Sequence, residues 1–527
     1  MSTWLWSGWG GDWIALWPSL LALALVLVFR RVIIALLGGA LAGAVMLEGG
    51  NPLAGFVALV EAHLLPQFSS PWNTGALIFT LVLGGFATVL ERGGALEAWL
   101  GRLTRTGSGR RVESVAMGFG VLCFFDGLAN SLMVGRLFRG LADRAGVARA
   151  RLAYSVDTTS AAVACVSFIS TWIAFQLSQI QAGLEQAGRP DFASPYALFF
   201  ASIPYNFYCW FALILLGLAI WRQWDIGPMR GLRAAAVPTP TAQVLEGAFT
   251  ADDHAPGRWR FFLPLGLLVA LLLGGIYADG GATLRAEGSA LEGTARVAAA
   301  FGAADAAVVM VWVSLLAAGV AIVCYPPAAG GMSRGLAVFE EGVLALFKPA
   351  MILVAAWLLG SVANALDAAE VLSGLVSERI PFALLPAAVF LVAAGTSFTT
   401  GTSWGTMAII MPLSIPLAFA LGAEASPAVL EHVLAGLVAA VFSGAVFGDH
   451  CSPLSDTTIV SSVAVGIEPH EHVRTQMPYA LLAAGVALGF GFIPLVAVPV
   501  PGLMLVAGTL LLAALAIFRT RRPAPAS

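Results

Sequence analysis

Long apolar runs, repeated along the whole chain, most limit how this sequence folds. Of the 527 residues, 59% are apolar and 11% are charged, whereas a soluble domain carries about 25% charged residues. A helix needs roughly 20 mostly apolar residues to cross a bilayer core, so the runs predict an all-α polytopic membrane protein. The predicted spans are 13–29, 32–47, 75–90, 152–180, 196–221, 261–277, 306–325, 349–366, 432–466, 476–498 and 502–518.

Two further apolar segments, 112–141 and 382–421, are interrupted by glycine and polar residues at Asp126–Ser131 and Thr396–Thr406. The first segment has arginines on both sides, and the second is flanked mainly by acidic residues. Arginine and lysine concentrate in cytoplasmic loops. We therefore interpret 112–135 as a re-entrant hairpin that enters from the cytoplasm, and the second segment as a matching hairpin that enters from outside.

The arginines also orient the chain. Arg30 and Arg31 close the first apolar run, and Arg519, Arg521 and Arg522 follow the last one. About 11 spans plus 2 hairpins then place the N-terminus outside and the C-terminus in the cytoplasm of a multi-pass protein of the cell inner membrane. The expected segments are an N-terminal span (1–31), a first transmembrane repeat (32–221), a cytoplasmic linker with a connecting span (222–305), a second transmembrane repeat (306–498) and a final span with a cytoplasmic tail (499–527).

The two halves of the chain match each other in order, and their flanking charges predict opposite orientations. Inverted repeats with interrupted helices are typical of transporters, whose site lies at the midplane between the repeats. The matching pairs are Gly55–Glu61 with Gly335–Glu341, Gly84–Glu91 with Gly360–Asp367, Asp126-Gly127 with Thr400-Gly401, and Asp157–Ser160 with Asp449–Ser452.

Polar clusters interrupt the apolar segments at Phe125–Ser131, Asp157–Ser160, Gly395–Thr406 and Phe447–Thr458. Glycine and proline let a helix unwind, and the freed carbonyls join hydroxyls and a carboxylate in an oxygen cage suited to a hard cation such as Na+. The dipoles of half-helices add to such a site. The candidate cation- and proton-binding residues are Asp449, Ser452, Asp456, Thr457, Thr458, Asp157, Thr158, Ser160, Asp126, Asn130, Thr402 and Ser403.

Among these residues, Asp456 and Asp449 are the leading carboxylates. A carboxylate inside a membrane is costly, so by default it indicates function. Each aspartate also has a structural interpretation as a helix cap, and Asp456 before Thr457 has the typical N-cap pattern. The hydroxyl and amide candidates have a second interpretation as partners of opened backbone groups.

Three motifs point to other chemistry. His450-Cys451 lacks the further ligands that zinc requires, so we expect no transition metal. Gly401–Gly405 matches the GxSxG pattern, but that nucleophile elbow needs a strand-to-helix turn, and we expect no enzyme. Glu468–His472 is typical of a solvated loop, with a cytoplasmic pH sensor as the alternative. The net charge of -3 and the short arginine clusters give no reason to expect nucleic-acid binding, and the five separated cysteines indicate no disulfide framework.

Two stretches resemble a known family. GTSWGTMAIIMPLSIP (Gly401–Pro416) and FGDHCSPLSDTTIVSS (Phe447–Ser462) are similar to the C-terminal signature of NhaC-type Na+/H+ antiporters, in the ion-transporter superfamily. The resemblance is strong over 395–480 and weaker over 112–180. It departs where Ala164 stands in place of a second aspartate. It implies that Asp449, Ser452, Asp456, Thr457 and Thr458 lie in or beside the cation path, with Thr402 and Ser403 near it.

The sequence thus predicts a secondary active transporter that exchanges Na+ for H+ by alternating access. A buried carboxylate is loaded by Na+ or by H+ but not by both. The expected partners are Na+, H+ and the lipid bilayer, with Li+ or small carboxylates as alternative cargo. We expect no cofactor, and a homodimer is compatible with the sequence. An organic-acid exchanger of the malate/lactate type and a drug efflux antiporter stay open as alternatives. Apart from Arg136 near a hairpin end, no lysine or arginine lies inside a predicted span, which favours cations.

Overall fold

The computed structural model of the protein describes residues 12–29, 31–95, 108–124, 126–232, 257–286, 288, 293–368, 371, 381–453 and 455–518. Its regular structure is helical throughout this part of the chain. Several predicted features lie outside the described residues. They are the tryptophans before residue 12, Arg30, linker residues 233–256, the acidic flank within 372–380 and the arginines of the tail.

The helices before the linker contain both the first hairpin and the first interrupted helix. They are α1 (Trp17–Phe29), α2 (Val32–Leu47), α3 (Pro52–Ser69), α4 (Pro71–Arg92), α5 (Gly109–Leu122), α6 (Gly127–Arg144), α7 (Arg149–Val166), α8 (Ile173–Gln186), α9 (Pro195–Ser202) and α10 (Phe207–Arg222).

The helices after the linker contain the second hairpin and the second interrupted helix. They are α11 (Trp259–Ala286), α12 (Gly293–Ala303), α13 (Ala306–Val323), α14 (Gly331–Ala345), α15 (Phe347–Ala365), α16 (Leu385–Thr400), α17 (Ser403–Leu421), α18 (Pro427–Cys451), α19 (Asp456–Val465), α20 (Pro469–Ala487) and α21 (Pro501–Phe518).

Proline opens several helices directly after a capping side chain. The Asn51 side chain accepts hydrogen bonds from two backbone N–H groups of α3, ahead of Pro52. Ser194 accepts one from the first turn of α9, ahead of Pro195. Proline has no N–H to leave unsatisfied in the first turn, and the caps satisfy donors that lack an intrahelical partner. These local signals fix where the two helices begin.

Nine helical segments in the described residues are long and apolar enough to cross a bilayer, and the pair α2 and α3, bent by 111°, raises the number to ten if it is one span. The predicted class, an all-α polytopic membrane protein, is confirmed. The expected number of 11 spans is higher than this count, and two of the nine segments contain α16 and α17, which were expected to form a re-entrant hairpin. Helices α1 and α13 correspond to two predicted spans, but their apolar parts are shorter than the nine segments.

Two predicted spans differ from the structure. The segment 152–180 is wrong as one span, because α7 ends at Val166 and α8 begins at Ile173. The segment 196–221 is interrupted between α9 and α10, and 432–466 is broken between α18 and α19, as expected. Helices α3 and α14 lie in segments that were not predicted as spans.

Helix α18 lies at the centre of the molecule. In its most apolar window 83% of the residues are buried inside the protein, compared with 33% for α11 and 22% for α21. It packs against both helices of the second hairpin, α16 and α17. A Cβ atom at Gly448 would lie 2.2 Å from Cβ of Ser397 on α16, so this close approach requires glycine.

The interrupted helix of each half packs against the hairpin of the other half. Helix α19 packs against α6, and α8 packs against α17. At the second contact, the rings of Trp172 and Phe175 lie 6.1 Å and 4.5 Å from the ring of Trp404. Both helix breaks are therefore brought beside the tip of the opposite hairpin.

Candidate functional site

The break in the second half separates α18 from α19. The helical hydrogen bonds of α18 end with Ser452 N–H to the carbonyl of Gly448, at 2.9 Å, and Pro453 follows. Proline lacks the N–H needed to continue a helix. Helix α19 then begins at Asp456, with Ser455 at the N-cap position, so the cap lies one residue earlier than predicted. The side chain of Asp456 lies outside the described residues, and its predicted role stays a prediction.

The break in the first half falls at residues 167–172, between α7 and α8. Asp157–Ser160 was expected to mark this break, and that prediction is wrong. These residues lie inside the continuous helix α7 and are buried. When the two helices are compared at their last residues, Val166 and Cys451, the position of Asp449 corresponds to Ala164 in the first half. The predicted match of Asp157 with Asp449 is therefore displaced by two helical turns.

A cavity of about 480 Å³ lies where the two breaks and the two hairpin tips meet. We name it the helix-end cavity, because the ends of several helices form its wall. It contains five of the predicted site residues: Asp126, Thr402, Ser403, Asp449 and Thr457. Its remaining lining residues are Arg31, Val32, Ile33, Ile34, Leu128, Thr171, Trp172, Leu346, Lys348, Pro349, Ile352, Thr400, Gly401, Trp404 and Ser455.

Helix N-termini dominate this wall. The beginnings of α2, α6, α8, α15, α17 and α19 all contribute lining residues. Each N-terminus carries unsatisfied N–H groups and a partial positive charge of roughly half an elementary charge. The helix-end cavity therefore has a positive backbone field, and its acidic side chains lie within that field.

Among the described side chains, two carboxylates line the cavity, one from each half. Asp126 stands directly before α6, at the tip of the first hairpin, and 7% of the residue is exposed. Asp449 stands in the last turn of α18, and 2% of it is exposed. Carboxylates buried to this degree in a membrane protein are expensive unless they bind a partner or a ligand.

The cavity hydroxyls have mixed roles. The Thr402 hydroxyl accepts a hydrogen bond from Gly405 N–H at 3.2 Å and so caps α17. The hydroxyls of Ser455 and Thr457 lie 3.0 Å apart at the start of α19. Ser403 is buried in the same wall. The GxSxG pattern therefore forms a turn between two helices, with no strand in the described residues beside it.

Apart from Asp456, whose side chain lies outside the described residues, the other predicted residues do not line this cavity. Thr458 donates a hydrogen bond to the carbonyl of Asp449 at 2.8 Å, and Ser160 donates to the carbonyl of Asp157 at 2.9 Å. The amide of Asn130 donates to two backbone carbonyls, those of Gly120 and Thr159. Thr158 and Ser452 are buried. The contacts of Thr458, Ser160 and Asn130 match their second interpretation, as partners of backbone groups.

Asp157 forms a separate polar centre. Its Oδ2 accepts a hydrogen bond from Gln476 Nε2 at 2.6 Å, and its Oδ1 accepts one from Ser461 at 3.3 Å. His472 Nε2 lies 3.4 Å from Oδ2. All four residues have an exposed fraction of 0%. Asp157 was predicted as a candidate cation- and proton-binding residue, and the structure surrounds it with side chains from α19 and α20.

The stretch Glu468–His472, predicted as a loop, contains residues in two different environments. These residues begin α20, with His470 exposed and His472 fully buried against Asp157. The prediction of a solvated loop is therefore wrong for His472. An i, i+2 pair on a helix cannot occupy one face, which explains how neighbouring histidines reach such different environments.

Comparison with known proteins connects this site to transport. The model of the Na+/H+ antiporter family matches residues 163–495, which include the second hairpin and both helix breaks. A protein of unassigned function from Haemophilus influenzae is 30% identical over 487 residues, covering 90% of this chain and 89% of the relative.

The chain belongs to the Na+/H+ antiporter family.

Two further relatives and two solved structures are similar to this antiporter. A Na+/H+ antiporter of Haemophilus influenzae is 37% identical over 21% of the chain and 22% of the relative. A malate-2H+/Na+-lactate antiporter of Bacillus subtilis is 33% identical over 28% of the chain and 27% of the relative. MtrF of Neisseria gonorrhoeae, from a class of antimetabolite efflux pumps, has a TM-score of 0.53 with 15% identity and 84% coverage of each chain. The YdaH transporter of Alcanivorax borkumensis has a TM-score of 0.51 with 17% identity, covering 88% of this chain and 89% of that one.

The sequence analysis missed several residues of the antiporter's cavity. Lys348 lies one position before the predicted span 349–366 and was not counted inside a span, yet it lines the cavity. It is the single lysine in the sequence, and that rarity was the available signal. Arg31 and Thr171 also line the cavity, but nothing in their local sequence distinguishes them from loop residues.

Proposed function

We propose that this antiporter exchanges Na+ for H+ across the cell membrane, as an NhaC-type transporter, with the cation bound in the helix-end cavity. The observation that carries the proposal is the meeting of Asp126 and Asp449 with the hydroxyls of Ser403, Ser455 and Thr457 in one cavity. Oxygen atoms of this kind are the ligands that hard cations prefer. The family membership supports coupled movement of Na+ and H+.

Asp449 is the carboxylate that we propose Na+ and H+ share. It is the more buried of the two acids, and it lies at the end of a helix whose next residues are unwound. A carboxylate in this setting binds a proton more tightly when Na+ is absent, since a nearby cation stabilises the charged form. Competition of this kind couples the two ions without covalent chemistry.

We further propose that the two halves are inverted repeats that alternate access to the cavity, with the C-terminus in the cytoplasm. The reciprocal packing of α19 on α6 and of α8 on α17 supports a two-fold relation between the halves. Each half provides a hairpin and an interrupted helix in the same order. Rocking of one half against the other around a fixed site is the usual transport motion of such folds.

The test uses the purified full-length protein in liposomes loaded with a pH-sensitive dye. Na+ added outside should change the internal pH, and Li+, K+, malate and lactate are tested in parallel. We expect a response to Na+ without any organic acid, and loss of that response in Asp449→Asn. An internal pH that does not respond to Na+, whichever other compound is added, would contradict the proposal.

One observation favours a second candidate function, exchange of a small carboxylate together with the cations. The cavity of about 480 Å³ is far larger than one Na+ requires, and Lys348, Arg31 and the helix N-termini place positive charge around it. Helix N-termini and a cationic side chain are the usual partners of a carboxylate ligand. The malate/lactate relative also aligns with part of this chain.

Lys348 decides between the two candidate functions. If a carboxylate is cargo, Lys348→Met should abolish malate- or lactate-dependent proton movement, and Lys348→Arg should keep part of it. Na+/H+ exchange without organic acid should then persist in both variants. Equal responses to malate and lactate in wild type and Lys348→Met would exclude Lys348 as the carboxylate partner.

A further inference from the structure

We propose that Asp157 and His472 form a second proton-binding site, outside the helix-end cavity, that is loaded and unloaded during each exchange cycle. The inference rests on the proposed function for its place in transport, but the site itself is defined by contacts alone. It implies that more than one proton moves per Na+. Nothing in the shared-carboxylate mechanism at Asp449 uses these residues.

The site joins the two halves of the protein. Asp157 comes from α7, before the linker, whereas Ser461, His472 and Gln476 come from α19 and α20, after it. The shortest contact is Gln476 Nε2 to Asp157 Oδ2, at 2.6 Å. A group held between two halves experiences a change of partners when the halves move against each other, which is what a transported proton requires.

Unpartnered polar atoms surround this carboxylate. Nδ1 of His472 and Oε1 of Gln476 are fully buried without a hydrogen-bond partner, and so is Nε2 of His450 on α18. Nε2 of His472 makes no hydrogen bond and has only its 3.4 Å contact with Asp157. Buried polar atoms are almost always hydrogen-bonded, and each exception calls for an explanation. Imidazole nitrogens that accept and release a proton are the explanation we adopt.

The chemistry of the pair suits a proton that comes and goes. One proton shared by Asp157 and His472 leaves the buried pair neutral overall, either as carboxylate with imidazolium or as carboxylic acid with imidazole. Removing that proton leaves an uncompensated buried carboxylate, which a low-dielectric interior disfavours. Chains of aspartate and histidine inside membrane proteins are a recurrent means of proton transfer.

Other titratable groups lie close to the pair. His450 and Cys451 on α18 and Tyr208 on α10 interact electrostatically with Asp157. Tyr208 is hydrogen-bonded to Nδ1 of His450 at 2.7 Å. From α6, Ser131 lies 3.0 Å from Ser461 but does not titrate. Within the described residues around the pair, Asp157 and His472 are thus the acid and base in direct ionic contact.

Helix α19 links the proton site to the cavity. Thr457 lines the cavity, and Ser461, four residues later on the same helix, contacts Asp157. Four residues correspond to about 6 Å along an α-helix. A displacement of α19 on cation binding therefore changes the contact to Asp157, so the two sites are mechanically coupled without sharing a ligand.

The first test measures transport stoichiometry in liposomes containing full-length protein. Na+/Na+ exchange, followed with radioactive Na+, should persist in Asp157→Asn, while the number of protons moved per Na+ falls below that of wild type. An unchanged ratio would overturn the proposal. Joint loss of Na+/Na+ and Na+/H+ exchange in a correctly folded variant would also overturn it, because it would assign Asp157 to cation binding or to structure.

The second test reads the proton directly and does not depend on Na+ transport. Infrared difference spectra of the protein between low and high pH, without Na+, should contain one protonated carboxyl band that disappears in Asp157→Asn and persists in Asp449→Asn, beside a second band that disappears in Asp449→Asn. His472→Gln should shift the pH at which the first band appears, and His470→Gln, an exposed neighbour on the same helix, should not. A spectrum unaffected by Asp157→Asn would refute the site even if Na+/H+ exchange is observed, whereas a protein without Na+-dependent proton movement would refute the proposed function alone.

Discussion

Among the described residues, each half of the antiporter gives one carboxylate to the helix-end cavity, but from a different element. In the first half the carboxylate is Asp126, directly before α6; Thr402 holds the same place directly before α17, two residues after Thr400, which the sequence comparison paired with Asp126. In the second half it is Asp449, at the helix break, where the first half has Ala164. A common architecture thus holds an asymmetric set of ligands.

The asymmetry distinguishes the residues that build the fold from the residues that bind ions. Both halves need a hairpin and a broken helix to bring helix ends together at the cavity. Among the described residues each half contributes one acidic side chain to the cavity, and the element that carries it differs between the halves. We therefore expect substitutions of the acids to change ion coupling strongly, and substitutions at the shared packing contacts to change stability in both halves alike.

The largest effect is expected for Asp449→Asn. Removal of a unit charge about 4 Å from a bound cation removes roughly 4 kcal/mol at an effective dielectric constant of about 20, which corresponds to about a thousandfold in affinity. Na+-dependent proton movement in liposomes should disappear. The control is Thr171→Val at the first break, which removes a hydroxyl and should weaken apparent Na+ affinity by no more than about tenfold. Equal losses in the two variants would contradict the asymmetry.

A smaller effect is expected for Asp126→Asn. Asp126 is more exposed than Asp449, at 7% against 2%, so solvent screens its charge more. The apparent Na+ affinity, taken from the concentration dependence of dye response, should fall by roughly tenfold. Asp126→Glu keeps the charge and serves as the control. If Asp126→Asn were as damaging as Asp449→Asn, the order of the two carboxylates would be wrong.

Similar losses of stability are expected at two glycines, one in each half, where the interrupted helix packs against the hairpin of the same half. A Cβ atom at Gly448 would lie 2.2 Å from Ser397, and one at Gly120 would lie 2.1 Å from Oγ1 of Thr159. Each change to alanine should destabilise the protein by about 1–3 kcal/mol, the range for overpacking. Thermal unfolding in detergent measures this loss.

The matched controls for these glycines are Gly395→Ala and Gly118→Ala. A Cβ atom at either position would meet nothing within 4 Å, and alanine favours a helix over glycine. Both controls should therefore unfold at or slightly above the wild-type temperature. A loss of stability at one hairpin contact but not at the other would show that the halves do not share this packing.

The smallest effect is expected at Thr402, the counterpart of Asp126. Its hydroxyl caps α17 through Gly405 N–H, and loss of a cap costs about 1 kcal/mol. Thr402→Val should lower the unfolding temperature slightly, and Thr402→Ser should not. If Thr402→Val lost Na+ coupling as Asp449→Asn does, while Thr402→Ser kept it, Thr402 would be a cation ligand and not only a cap.

Periodicity and composition were sufficient to predict the all-helical membrane class, the second hairpin and the break at Pro453, because each depends on local signals such as apolar length, glycine and proline. The position of the helix break in the first half was not predicted. Ser167–Trp172 contains no glycine or proline, and the polar run Asp157–Ser160 stays helical because the surrounding helices bury it. Tertiary burial overrides the local pattern there.

The candidate site was predictable only in part. Asp126, Asp449 and the hairpin residues carry a sequence signal, since polar groups stand out in apolar segments. Lys348 carries a weaker signal, as the single lysine of the sequence, and His472 stands in a stretch that is typical of a solvated loop. Their roles depend on which helices meet in space, and that information is long-range.

The most direct measurement of the central claim is the binding of radioactive Na+ to purified protein in detergent. Wild-type protein should bind Na+ saturably, and lowering the pH should displace it. Asp449→Asn should lose this binding, whereas Asp157→Asn should keep it. Wild-type Na+ binding by Asp449→Asn would contradict the assignment of the cation site to the helix-end cavity.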